Sequence, residues 1–215
     1  MEANTVLTEN AYNYILDEIL SGRIKPGERI REDEIAAKMG TSRTPVREAV
    51  NQLSQNGFIK YVKRKGLYCV QFDHEELESL LELREMLEEF SYIQCSRVGT
   101  KEEIEKLHSI VHKFVSLTST EKESCHVKCD VLFHETAAEI TKNERLIKYI
   151  REIETLLLIV RRNLKASERM EDVIDISWKH HDQIVDAIEN KDVEKIKKLN
   201  REHIEMMRRT QLETE

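Results

Sequence analysis

The chain has 215 residues, 40% hydrophobic and 35% charged, with only 6 Gly and 2 Pro and a formal net charge of −7. Few helix breakers among many Glu, Lys and Leu predict a mainly α protein, and the length leaves room for two domains. No apolar run approaches the roughly 20 residues that span a bilayer. The opening residues MEANTVLTENAYN lack the basic flank and apolar stretch of a secretory signal, and 4 scattered cysteines are not a secreted disulfide framework. A cytoplasmic protein with no membrane partner is expected.

The negative charge is unevenly spread. Residues 1–72 hold 11 Lys+Arg against 9 Asp+Glu, whereas residues 73–215 hold 23 against 32. Residues 40–66 carry Arg43, Arg47, Lys60, Lys63, Arg64 and Lys65 against Glu48 alone. Attraction to phosphate follows the local field, so an acidic whole chain is compatible with a nucleic-acid-binding front end.

In chain order, Thr8 to about Ser21 predicts a first helix, with Thr8 as its cap and Ala11, Ile15 and Ile19 on its apolar stripe. Gly22 and Lys25-Pro26-Gly27 end it in a turn. Asp33 to Met39 predicts a second helix stopped by Gly40. Ser42 or Thr44 caps a third, in which Pro45 suits the first turn and Val46, Ala49, Val50 and Leu53 face inward. Phe58-Ile59 with Tyr61-Val62, and Leu67 to Val70, predict two short strands joined by Lys63-Arg64-Lys65-Gly66. From Asp73 onward only helices are predicted, roughly at 74–98, 101–118, 121–140, 144–166, 168–189 and 192–212. The division is therefore 1–72, a winged helix-turn-helix, and 73–215, an all-α bundle of six to seven helices.

Arg43 and Arg47 stand one turn apart at the front of the third helix, off its apolar stripe. Arginine's planar fork can bond two acceptors on guanine and also grips phosphate. Ser42 and Thr44 can bond phosphate at the helix start, and Lys65 and Gly66 form a wing tip that allows close approach. Ion pairing of the arginines with Glu48 or Glu32 is the plainer alternative.

In the helical part, Asp130 and His134 are at i, i+4 and project from one helix face. His181 and His203 lie equally far from the turn predicted at Asn190-Lys191-Asp192, so an antiparallel hairpin places them at one height. Three nitrogens and one oxygen suit a divalent ion, zinc, nickel, iron or manganese, with positions left open for water or an anion. Zinc is the first expectation for purified protein. His180, next to His181, is expected to face solvent, and Trp178 to be a packing residue.

The segment TSRTPVREAVNQLSQNGFI resembles the recognition segment of the GntR family of bacterial regulators, and SGRIKPGERIREDEIAAKMG before it is similar to that family's Pro-Gly turn and short helix. The helical remainder resembles the FadR-like branch with an FCD domain. The resemblance implies a homodimer reading a pseudo-palindromic double-stranded DNA operator, with Arg43, Thr44, Arg47 and Gly66 at DNA-contacting positions. One departure is Asp33, where some FadR-like proteins carry a basic residue. Asp130-Val-Leu-Phe-His134, His181 and His203 follow the motif of the metal-binding FCD subgroup, in which a cation helps hold a small carboxylate effector. Arg84 resembles an arginine beside that pocket; pairing with Glu88 at i+4 is its alternative role.

The expected function is that of a transcriptional regulator, a repressor released by a carboxylate metabolite, and not an enzyme. Two other readings are kept. Cys125-His126 with Cys129 would suit a metal or thiol-redox sensor. Glu105-Lys-Leu-His108 and Glu123-Ser-Cys-His126 would suit a di-iron helical-bundle enzyme.

Overall fold

The computed structural model describes residues 2–163 and 170–212. It divides into two compact units: 1–72 together with 156–163, and 73–155 together with 164–215.

The first unit contains α1 (Glu2–Leu20), β1 (Arg29–Ile30), α2 (Glu32–Met39), α3 (Arg43–Gln55), β2 (Ile59–Val62) and β3 (Gly66–Cys69). α1 begins earlier than the sequence suggests. Thr8 lies inside it rather than capping it, and its hydroxyl donates to Glu48 Oε2 at 2.7 Å. The sheet has the order β1-β3-β2, antiparallel throughout. β1 was not legible: two residues cannot display an alternation, and they are held by pairing Arg29 with Tyr68 and Ile30 with Leu67. Gly40 ends α2 in the left-handed region at φ 63°, where its N–H reaches the carbonyls of Ala36 and Ala37. The expected inward stripe of α3 is fully buried with Ala11, Ile15, Ile35, Phe58 and Ile59. Ile159 belongs to the same core, beyond the boundary of residue 72 that the sequence suggested.

The second unit contains α4 (His74–Val98), α5 (Lys101–Val115), α6 (Ser119–Ile140), the first part of α7 (Glu144–Asn163), α8 (Met170–Glu189) and α9 (Val193–Leu212). Reciprocal capping boxes start three of them: Asp73 with Glu76, Thr100 with Glu103, and Thr118 with Glu121. Thr118 displaces the expected break at Ser119-Thr120, because its side chain accepts the Glu121 N–H. The expected break at Ala166-Ser167 lies outside the described residues. Tyr92, Leu107, Val111, Phe133, Ile184 and Ile188 are among the buried residues of the core, with Trp178 stacked on Phe114 at 3.9 Å between centroids. Among the described residues no helix is long and apolar enough to cross a membrane.

Candidate DNA-reading surface and metal centre

The helix-turn-helix presents its polar residues as the sequence implied. Ser42 is the N-cap of α3 with extended φ −79° and ψ 165°, although its side chain makes no capping bond. Ser42, Arg43, Thr44, Arg47 and Lys65 are all exposed. Gly66 has φ 111°, a conformation reserved largely for glycine, where β3 leaves the wing turn. Arg47 Nε lies 3.6 Å from Glu32 Oε2 and Arg43 Nη2 4.0 Å from Asp33 Oδ2. Glu32 is thus a partner, as the plainer reading held, whereas Glu48 is engaged by Thr8. Exposed pairs of this kind are worth about 0–1 kcal/mol, so phosphate can displace them. Arg29, Arg31, Asn51 and Tyr61 line the same cleft of about 660 Å³ as Arg43, Arg47 and Gly66. Sequence reasoning missed these four; only the pairing of β1 with β3 brings Arg29 beside the wing.

The interior of the helical unit holds a polar centre. Asp130 and His134 from α6, His181 from α8 and His203 from α9 are all buried. One ligand atom from each lies within 4.8 Å of the other three. Ring centroids of His181 and His203 are 4.7 Å apart, and those of His134 and His181 5.0 Å. Phe133 stacks on His181 at 4.3 Å and Trp178 meets its edge at 4.9 Å, fixing the ring. His180 departs from expectation: it is half-buried, 6.0 Å from the His203 ring.

Arg84, from α4, is fully buried beside this set. Its Nε lies 2.6 Å from Glu88 Oε1 and 3.1 Å from Glu154 Oε1, and its Nη2 lies 3.7 Å from Asp130 Oδ2. The pairing with Glu88 is the alternative role read from the sequence. Glu88, Glu154 and Tyr92 complete the centre and were not singled out as site residues.

Burial alone would raise the Glu88 carboxyl, but the Arg84 guanidinium overrides it and holds the pKa at about 2. Burial pushes His181 down to about 3 and His203 well below the usual histidine range. At His134 burial again opposes the charge, yet Glu88 and Asp130 outweigh it and favour a pKa of about 9. The contacts point the other way: Arg84 Nη2 approaches His134 Nε2 to 2.8 Å, which requires a lone pair there. Contact geometry decides, because two N–H donors cannot face each other at that distance. The proton is therefore assigned to Nδ1, which faces Glu88 Oε1 at 2.9 Å and the Tyr92 hydroxyl at 2.8 Å.

The residues fit a divalent cation. Neither nitrogen of His181 or His203 makes a hydrogen bond although both rings are buried, and unsatisfied buried polar atoms are costly. Three acidic side chains also face a single guanidinium, and one positive charge cannot offset three carboxylates in a low-dielectric interior. A dication bound by neutral imidazoles and Asp130 would meet both demands.

The competing chemistries are less well served. Cys125 and Cys129 bring their Sγ atoms to 3.8 Å, but burial pushes Cys129 up to about 11, which suppresses the thiolate. His108 lies against Glu189 rather than joining a di-iron set with Glu105, and the Glu123 side chain lies outside the described residues.

A recognition helix behind a tight turn, a cationic wing and a separate helical unit with a buried polar centre are the parts of a DNA-binding transcriptional regulator. Residues 7–69 match the model of bacterial regulatory proteins of the gntR family, and residues 79–206 match the FCD domain. The chain belongs to the GntR family and carries an FCD domain. It is 33% identical over 140 residues to the Nta operon transcriptional regulator of Aminobacter aminovorans, covering 62% of this chain and 63% of that one. That match spans less than two thirds of the relative's length. It is 26% identical to the gluconate operon transcriptional repressor of Bacillus licheniformis, over 81% of this chain and 72% of that protein. The solved structure of a GntR transcriptional regulator from Rhodococcus sp. RHA1 superimposes with a TM-score of 0.77 at 18% identity, covering 97% of this chain and 98% of that one.

Proposed function

We propose that this regulator is a cytoplasmic repressor whose grip on a pseudo-palindromic operator is set by a small carboxylate bound at a divalent-metal centre. Asp130, His134, His181 and His203 hold the ion, and the effector carboxylate takes an open coordination position. Arg84 Nη1 is buried without a hydrogen-bond partner and supplies a charge-assisted donor to the same carboxylate. The observation that carries this reading is the pair of fully buried imidazoles, His181 and His203, whose nitrogens have no hydrogen bond and converge with a ring nitrogen of His134 and a carboxylate oxygen of Asp130.

The operator is read by a homodimer. Leu83, Met86 and Phe90 are exposed on α4 at a spacing that aligns them along one face, and a second copy of the chain would cover them. Effector binding changes operator affinity only to the extent that it favours one arrangement of the dimer over another. The ion's own chemistry is Lewis acidity toward the carboxylate; orientation comes from Arg84 and from the packed ring of His181.

Native mass spectrometry of protein purified without chelator and without a nickel tag tests the proposal. The expected result is a dimer carrying one tightly held metal ion per chain at the centre, with operator binding released by particular carboxylic acids. Metal-free protein that binds its operator equally well with and without every acid tried would overturn it.

A further inference from the structure

A second group of imidazoles and carboxylates lies on the outside of the helical unit, away from the buried centre. His108 and His112 are one turn apart on α5, so both rings leave the same face of that helix. Their centroids are 5.7 Å apart. α8 answers them with acids: His108 Nε2 lies 3.2 Å from Glu189 Oε2, and His112 Nε2 lies 3.9 Å from Asp182 Oδ1. One ligand atom from each of His108, His112 and Asp182 lies within 4.8 Å of the other two.

We propose that this group is a second divalent-cation site, for a borderline transition ion such as Zn2+, Ni2+ or Cu2+, clamped between α5 and α8. Imidazole pairs favour these ions over Mg2+ or Ca2+, which prefer oxygen. A histidine pair at i, i+4 suits chelation because the helix backbone already fixes the spacing of the two rings, leaving mainly side-chain torsions to be ordered. Asp182 adds the charge that neutral rings lack, and Glu189 stands within reach of His108 as a further oxygen or as the acceptor that orients its ring.

The site differs in kind from the buried centre. Side-chain exposure is 15% at His108, 71% at His112 and 47% at Asp182, so water completes the shell and the ion exchanges freely. Asp182 adjoins His181 in sequence, but neighbours on a helix diverge by about 100°, which puts the two on different faces of α8. An ion held here ties the helix that carries His181 to α5, giving the regulator a response to free metal that does not pass through the buried centre.

The test is titration of chelator-stripped full-length protein with Zn2+, followed by calorimetry and by the imidazole NMR signals. The expected result is two classes of ion, the weaker of which moves the His108 and His112 resonances. His112→Ala, at an exposed position that the fold does not need, lowers the affinity of that weaker class by at least about tenfold. His203→Ala leaves it intact while removing the tighter class, so failure of the buried centre and failure of the outer site are read separately. If His112→Ala binds Zn2+ with the stoichiometry and affinities of the unaltered protein, the outer site does not exist.

Discussion

Arg84 and His134 stand 50 residues apart in the chain and meet at 2.8 Å through Nη2 and Nε2 inside the helical unit. The guanidinium thus occupies the lone pair that a metal ion would use. Bound metal and this contact exclude each other at one nitrogen, so loading the centre requires Arg84 to withdraw toward Glu88 and Glu154, with which it is already paired. That withdrawal would turn the guanidinium from a stand-in for the cation into a donor for an incoming carboxylate.

His181→Ala should sharply lower metal content, because it removes one of three imidazole donors. The helices should persist, since the ring makes no hydrogen bond and its removal costs packing against Phe133, Trp178 and the neighbouring His134 and His203 rings. Metal analysis alongside far-ultraviolet circular dichroism checks both halves, and a variant that keeps its full metal load removes His181 from the ligand set.

Arg84→Met should destabilise the metal-free protein by about 3–5 kcal/mol. The new side chain fills similar space, but it leaves Glu88 and Glu154 buried without their shared cation. Urea denaturation is the measurement. The double variant Arg84→Met, Glu88→Gln should recover part of the loss, because one orphaned carboxylate is gone; no recovery would show that the pair is not energetically linked.

The convergence of Asp130, His134, His181 and His203 was legible because their spacing carries geometry. Asp130 and His134 share a face at i, i+4, and His181 and His203 flank the 190–192 turn that separates α8 from α9. The acids around Arg84 carry a subtler signal. Glu88 lies on the buried stripe Leu81, Arg84, Tyr92, Cys95, and Glu154 lies between Ile150 and Leu157 on the inward face of α7. A charged residue on an apolar stripe needs a buried partner, but the stripe does not say which helix supplies it. Positions such as Arg29 are harder still, since a strand of two residues exists only through its pairing partner.

The cysteines should separate by reactivity. Burial pushes Cys69 up to about 11 and Cys95 up to about 12. Both thiols therefore remain protonated and shielded at pH 8, and their thiolate fraction rises only as pH approaches those values. Alkylation of native protein at pH 8 should label Cys125 before either, as read by peptide mass spectrometry. Rapid labelling of Cys95 would mean that the helical core opens far more readily than its packing implies.

Operator affinity should respond in opposite directions to the two ends of one ion pair. Arg47→Ala should cost about 1–3 kcal/mol and relax specificity at the base it contacts. Glu32→Gln should leave stability within about 0.5 kcal/mol while tightening operator binding, because Arg47 no longer has to leave a carboxylate. Fluorescence anisotropy over a range of salt concentrations is the assay, and equal affinity of all three proteins would place Arg47 outside the DNA interface.

The exposed stripe on α4 gives the proposed dimer its own test. Met86 is 67% and Phe90 46% exposed in the single chain, so replacing both with Glu removes only partly buried contacts and leaves the core untouched. In a two-fold interface each substitution appears twice, which sets four new carboxylates against an apolar face at one contact. Charges buried without partners cannot be tolerated there, so the double variant should sediment as a folded monomer with unchanged helix content. Operator affinity should fall with it, because one half-site then binds without the other and the gain from linked binding is lost. A double variant that remains dimeric would move the interface to a different face of the helical unit, and the exposed α4 residues would then need another explanation.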